Sequence, residues 1–238
     1  MRATSEAPAF GSSVSAAVTI PQLLAAWGED PNERRWDALS RLANLTALKR
    51  AKDGTFHLGH WWRGPLLYAL VQRYRPRHIL EFGTGRGYGA LCMAQAAEDA
   101  GIPCDIWTID AIPVTATQEW PINEVGKPAV KQLSVEGVWS AHIEPAVLAH
   151  VHCLTGDSIA IMASWQRQQR PRIDLCFIDG AHGYPMVRHD WSAALTVANP
   201  GCSVLLDDYT ARATYGVKQF VDEELRPQLP EESVEWIQ

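Results

Sequence analysis

Three glycines alternate in Glu81-Phe82-Gly83-Thr84-Gly85-Arg86-Gly87, and no other stretch of the chain constrains its folding as tightly. The stretch follows a short apolar run, His78-Ile79-Leu80-Glu81-Phe82. It precedes residues 88–99 (YGALCMAQAAED), which are rich in strong helix formers. A strand that passes straight into a helix needs glycine where the backbone turns sharply and where a ligand approaches without a Cβ in the way. The same alternation continues downstream. Ile106–Asp110, Val151–Leu154, Ile173–Asp179 and Ser203–Asp207 read as strands, the last entered through Asn199-Pro200-Gly201. Residues 186–197 and the segment around Val217, Phe220 and Val221 read as helices. Ahead of the glycine loop, Leu66, Leu67, Leu70, Val71 and Tyr74 share one helical stripe, which Arg75-Pro76 ends because a residue before proline avoids the α region.

Strands alternating with helices predict an α/β chain: a Rossmann-like, doubly wound, mostly parallel sheet with helices on both faces. Its 238 residues suit one domain, over 20–238, behind a flexible tail at 1–19. Within that domain 20–75 are read as N-terminal helices, and 113–149, long and weakly periodic at its start, as a lid-like insertion. Val234–Ile237 is a candidate last strand, and the chain stops just after it. Either the chain is cut short there or the sheet lacks the final antiparallel strand, which would leave an edge that a second copy, in a homodimer, could cover.

Hydrophobic residues at 47% and charged residues at 20% exclude a disordered or fibrous chain. A net charge of −6 gives no broad basic surface, so neither nucleic acid nor an acidic membrane is an expected partner. No apolar run approaches the ~18 residues of a membrane span, and residues 1–19 lack the continuous apolar core of a signal peptide. The five cysteines form no CxxC pair and sit mostly in apolar runs. They read as buried free thiols, and the expected location is the cytoplasm.

The loop's spacing discriminates between ligands. Dinucleotide sites carry GxGxxG with a helix N-terminus aimed at a pyrophosphate. This chain has GxGxG led by Glu81, an acid that would repel a pyrophosphate and suit a cation. Asp110, ending the next strand, offers two carboxylate oxygens to the hydroxyls of a ribose. Further carboxylates close the fourth and fifth strands, in Asp179-Gly180-Ala181-His182-Gly183-Tyr184 and Asp207-Asp208-Tyr209. Ligands of such sheets bind outside the carboxyl ends of the strands, so these aspartates are expected in one crevice beside the glycine loop. Three carboxylates that close repel one another unless a cation neutralises them, and hard oxygen donors suit Mg²⁺.

In Glu81–Gly87, Asp110, Gly156-Asp157-Ser158 and Phe177-Ile178-Asp179-Gly180, the sequence resembles the class I S-adenosylmethionine-dependent methyltransferases. Asp179 followed 28 positions later by Asp207-Asp208, with His182 three after the first aspartate, is similar to the metal-dependent small-molecule O-methyltransferases of the macrolide-sugar and catechol types. The resemblance implies S-adenosylmethionine and Mg²⁺ as cofactors. Glu81, Gly83, Thr84, Gly85, Tyr88, Asp110, Ala111, Asp157, Ser158 and Asp179 would bind the methyl donor, and His60 and Trp61 would close over its methionine end. Asp179, Asp207 and Asp208 would hold the metal, and His182 would be the general base acting on a small hydroxylated acceptor. Trp61, Trp62 and Trp120 are candidates for the acceptor's wall. The rival readings are a metal-independent methyltransferase, a hydroxylase-like relative of the same fold, a nicotinamide-dependent oxidoreductase, and a non-catalytic protein that keeps the fold.

Overall fold

Strands buried on both faces are mostly apolar, and the central strands of this protein follow that rule, with Glu81 and Thr108 as buried polar exceptions. The computed structural model describes residues 18–29, 35–211 and 215–229. Its elements are α1 (Ile20–Ala26), α2 (Arg35–Thr46), β1 (Leu48–Arg50), β2 (Phe56–Leu58), α3 (Arg63–Tyr74), β3 (His78–Phe82), α4 (Tyr88–Asp99) and β4 (Asp105–Asp110). They continue as β5 (Gln118–Ile122), β6 (Ala129–Leu133), α5 (Val135–His142), α6 (Pro145–Leu148), β7 (Val151–Thr155) and α7 (Ser158–Ser164). β8 (Ile173–Ile178), α8 (Tyr184–Val197), β9 (Ala198–Leu206) and α9 (Val217–Phe220) follow, and α9 widens into a π-helical turn over Val221–Leu225.

Five strands make one parallel sheet in the order β7-β4-β3-β8-β9. Along these strands successive residues face opposite sides. Ile79, Ile106, Leu175 and Phe177 pack with α3 and α4, while Leu80, Phe82, Ile109, Cys176 and Ile178 form the other core with residues of α7 and α8. Each such side chain contributes about 1.5–3 kcal/mol on burial. The chain winds outward from β3 through β4 to β7, then returns to β8 on the other side of β3. The strand order therefore reverses between β3 and β8, which is where a crevice opens above the carboxyl ends.

The expected strands and helices of this sheet are present, with two refinements. α3 runs over Arg63–Tyr74, and Arg75 after it takes a left-handed conformation (φ 48°) before Pro76. β9 begins at Ala198, so the Asn199-Pro200-Gly201 turn is an irregularity inside the strand: Ile173 pairs with Ala198 and Leu175 with Ser203. Thr19 caps α1 with a reciprocal Thr19/Gln22 capping box. The rest of the expected tail and the candidate strand Val234–Ile237 lie outside the described residues.

The segment 113–149, expected as a lid, is a β5–β6 hairpin followed by two helices, and it is anchored in the core. Trp120 is fully buried and donates its indole N–H to Leu45 O (2.6 Å). Asn123 N–H donates to Asn44 O (3.0 Å). A tryptophan burying its whole ring against α2 fixes the hairpin beside the sheet, and Trp120 is no acceptor wall. Arg86, inside the glycine loop, points the same way: it donates to Pro121 O (3.0 Å) and Leu48 O (2.6 Å) and lies over the Trp120 ring. No described helix is long and apolar enough to cross a membrane, and the five cysteines are free thiols.

Candidate functional site

The switch point holds a cleft of about 860 Å³, within the range of small-molecule sites. Gly83, just after β3, passes close against the backbone that follows β8. It sits at φ 93°, and a Cβ there would lie 2.2 Å from Asp179 O, so only glycine lets the loop pass. Gly85 (φ 52°) differs: a Cβ on it would meet no atom within 4 Å, so its bare backbone borders open cleft.

Backbone amides fix the acids on the β3–β4–β7 side. Asp110 Oδ2 accepts from Gly85 N–H (2.8 Å) and Oδ1 from Ile112 N–H (2.9 Å). Asp157 caps α7 by accepting from Ile159 N–H (2.9 Å). Ser158 donates to Asp190 (2.9 Å), a carboxylate only 2% exposed on the inner face of α8. Burial raises the Asp190 pKa, against hydrogen bonds from His189 and Ser158 that lower it. Glu81 is 1% exposed, accepts from the Thr108 hydroxyl (2.6 Å) and rests against Gly89. Its carboxyl is pushed up to about 8, chiefly by burial. With Glu81, Asp110, Asp157 and Asp190 around it, and the side chain of Arg86 turned away, this side suits a cationic, hydroxyl-bearing ligand and repels a pyrophosphate.

The β8–β9 side is assembled by long-range side-chain contacts. Arg63, at the start of α3, spans two carboxylates: Nη1 donates to Asp179 Oδ2 (2.5 Å) and Nη2 pairs with Asp207 Oδ2. His182 Nε2 stands 3.2 Å from Asp208 Oδ2, and the His182 ring meets Tyr215 edge-on at 4.7 Å. Gly216 N–H donates to His182 O (2.6 Å) and holds that loop. Asp208 takes a left-handed backbone (φ 59°), as does His60 (φ 57°), which lines the same end of the cleft. Burial, then Arg63 and Lys49, lower the His60 pKa, so its imidazole is neutral near pH 7. Burial, with Asp207 and Asp208, raises the Asp179 pKa against the opposing pull of Arg63.

Glu81, Gly83, Thr84, Gly85, Tyr88, Asp110, Ala111, Asp157, Ser158, Asp179, His182 and Asp208 all border this cleft. Trp61 and Asp207 are not among its lining residues. The expected metal set is brought together only in part. Asp179, His182 and Asp208 bring one ligand atom each within 4.8 Å of the others, whereas Asp207 is turned to Arg63. The three-carboxylate Mg²⁺ site does not fit the residues as arranged, because a guanidinium already shares Asp179 and Asp207. A dication beside it would place two like charges on one carboxylate. Sequence reading also missed Arg63, Asp190 and Tyr215. Asp190 left a signal, as the one charged member of the buried stripe Val187, Asp190, Ala193, Ala194 and Val197. Arg63 and Tyr215 left none, since only the fold brings them to the cleft.

Residues 80–209 match a family model described as a methyltransferase domain. Among curated proteins, "Uncharacterized protein y4gI" of Sinorhizobium fredii is 26% identical over 177 residues, 71% of this chain. The chain spans 18% of that relative's length. Among solved structures, the O-methyltransferase TomG of Streptomyces achromogenes, involved in tomaymycin synthesis and solved with S-adenosylmethionine, superposes with a TM-score of 0.54. It is 20% identical, with 90% of this chain and 79% of TomG covered. A Klebsiella pneumoniae protein, whose own assignment as an O-methyltransferase is provisional, gives a TM-score of 0.50 at 20% identity, covering 89% and 76%. These likenesses establish the Rossmann-like methyltransferase fold. With the family match over more than half its length, the chain belongs to the methyltransferase-domain family.

Proposed function

We propose that this protein transfers a methyl group from S-adenosylmethionine to a hydroxyl of a small molecule. The observation that carries the reading is the acidic, amide-fixed half of the cleft. Asp110, locked by Gly85 and Ile112, presents its oxygens where a ribose would bind, and Arg86, the basic residue of that loop, is committed to Pro121 O and Leu48 O. TomG, which shares the fold, was solved with S-adenosylmethionine, and that supports the choice of donor.

The donor supplies an electrophilic methyl on a sulfonium. The acceptor oxygen attacks that carbon in line, the carbon–sulfur bond breaks with its electron pair returning to sulfur, and a thioether leaves. In this reading Gly83 and Gly85 carry the donor's methionine end and Asp110 its ribose, with Asp157, Ser158 and Asp190 at the adenine end. The acceptor occupies the side lined by His60, Asp179, His182 and Tyr215. His182 takes the hydroxyl proton, and Asp208 beside its Nε2 stabilises the imidazolium that forms. The magnesium assistance expected from the resemblance needs Asp207, which Arg63 occupies, so no step here runs through a metal.

The test is transfer of a labelled methyl from S-adenosylmethionine to a panel of phenolic and sugar hydroxyls. His182→Gln should lower turnover about 10²–10⁴-fold while leaving donor affinity unchanged. Full turnover in that variant would remove His182 as the base. No label transfer together with no donor binding would move the non-catalytic reading to the front.

A further inference from the structure

We infer that Arg63 is the resident cation of this centre, holding Asp179 and Asp207 in the position where the resemblance places a magnesium ion. The acceptor side of the cleft is then complete without a divalent metal. The inference rests on the methyl-transfer reading for what the centre does, but the ion pairs stand independently of it.

The geometry is that of a bridge. The two terminal nitrogens of one guanidinium go to two different carboxylates, on the loops after β8 and β9. The guanidinium carbon lies 5.8 Å from the centre of the Phe177 ring, which supports its plane. Arg63 and Asp179 are mostly shielded, with side chains 18% and 16% exposed. Arg63 Nε and Asp207 Oδ2 are both buried without a hydrogen-bond partner, so the contact to Asp207 is an ion pair, whereas Nη1 donates a hydrogen bond to Asp179 Oδ2. A planar fork suits this task; the point charge of a lysine would serve one carboxylate at a time. A metal ion on Asp179 and Asp207 would have to expel the guanidinium. On Asp179, His182 and Asp208 it would sit beside one. Arg63 is thus a positioning residue. It sets Asp179 against the acceptor and draws Asp207 out of the cleft lining.

The inference is tested on the full chain, freed of metal, by titrating Mn²⁺ into wild type, Arg63→Met and Arg63→Lys, each with S-adenosylmethionine present. Wild type should take up no stoichiometric Mn²⁺. Arg63→Met, which frees two carboxylates, should bind Mn²⁺ at least about 100-fold more tightly. Arg63→Lys should fall between them, and it carries the comparison if the methionine variant fails to fold. Stoichiometric Mn²⁺ uptake by wild type would overturn the inference. So would variants that bind no more Mn²⁺ than wild type, since Arg63 would then not be what keeps a metal out. Donor binding in chelator, measured on the same samples, reports separately on the methyl-transfer reading, because the Mn²⁺ titrations can be read whether or not the donor binds.

Discussion

Asp110 and Asp179 end neighbouring regions of one sheet and face one cleft, yet they are held by different kinds of contact. Asp110 accepts from two backbone amides, Gly85 and Ile112, on its own loop and the one beside it. Asp179 is held by Arg63, a side chain 116 positions earlier in the chain. Its neighbour Asp207 shares that guanidinium, and Asp208 faces His182. On the β3–β4–β7 side, Asp110 and Asp157 are therefore fixed by backbone amides, while Glu81 and Asp190 are held by the Thr108 and Ser158 hydroxyls. The β8–β9 side is held by side-chain ion pairs.

The largest effect that would sharpen the contrast is expected at Gly83. A Cβ there meets Asp179 O, a backbone atom that no rotamer change can move, and the left-handed φ adds its own penalty. Gly83→Ala should lower stability by about 1–3 kcal/mol and abolish donor binding, read by thermal melting and calorimetry. Gly85→Ala, facing open cleft but also at a left-handed φ (52°), should cost less stability than Gly83→Ala while still losing donor affinity. Equal damage from both would erase the distinction between a glycine that lets the loop pass and one that admits a ligand.

A smaller effect belongs to Glu81. Its carboxyl is raised to about 8 in the folded protein, so near pH 7 it is mostly protonated. A cation bound nearby favours the charged form, and donor binding should therefore release a proton. Donor affinity should rise as pH climbs toward 8 and level off above it. Glu81→Gln should flatten that dependence. A wild-type affinity that falls over the same range would contradict the assigned charge of the ligand.

What the sequence made legible follows the same division. The glycine loop, Asp110 and the Gly156-Asp157-Ser158 turn were readable because each role is set by spacing within a few residues of a strand end. The aspartates after β8 and β9 were readable as a cluster, since parallel strands deliver their ends to one place. Their partners were not. Arg63 lies on a helix whose readable feature is its apolar stripe, and nothing in its spacing to Asp179 says that the two meet. The two hairpins were missed for related reasons. β1 and β2 are three residues each, too short to show alternation. β5 contains Pro121 and is held as a strand by the docking of Trp120.

The central claim, a preformed donor site whose acids await a cationic nucleoside, is tested most directly by calorimetric titration of S-adenosylmethionine into wild type and Asp110→Ala, each in chelator. Micromolar binding to wild type without metal, weakened about 10–100-fold in the variant, is the predicted result. Wild-type protein that binds no donor, or a variant that binds it equally well, would contradict the account.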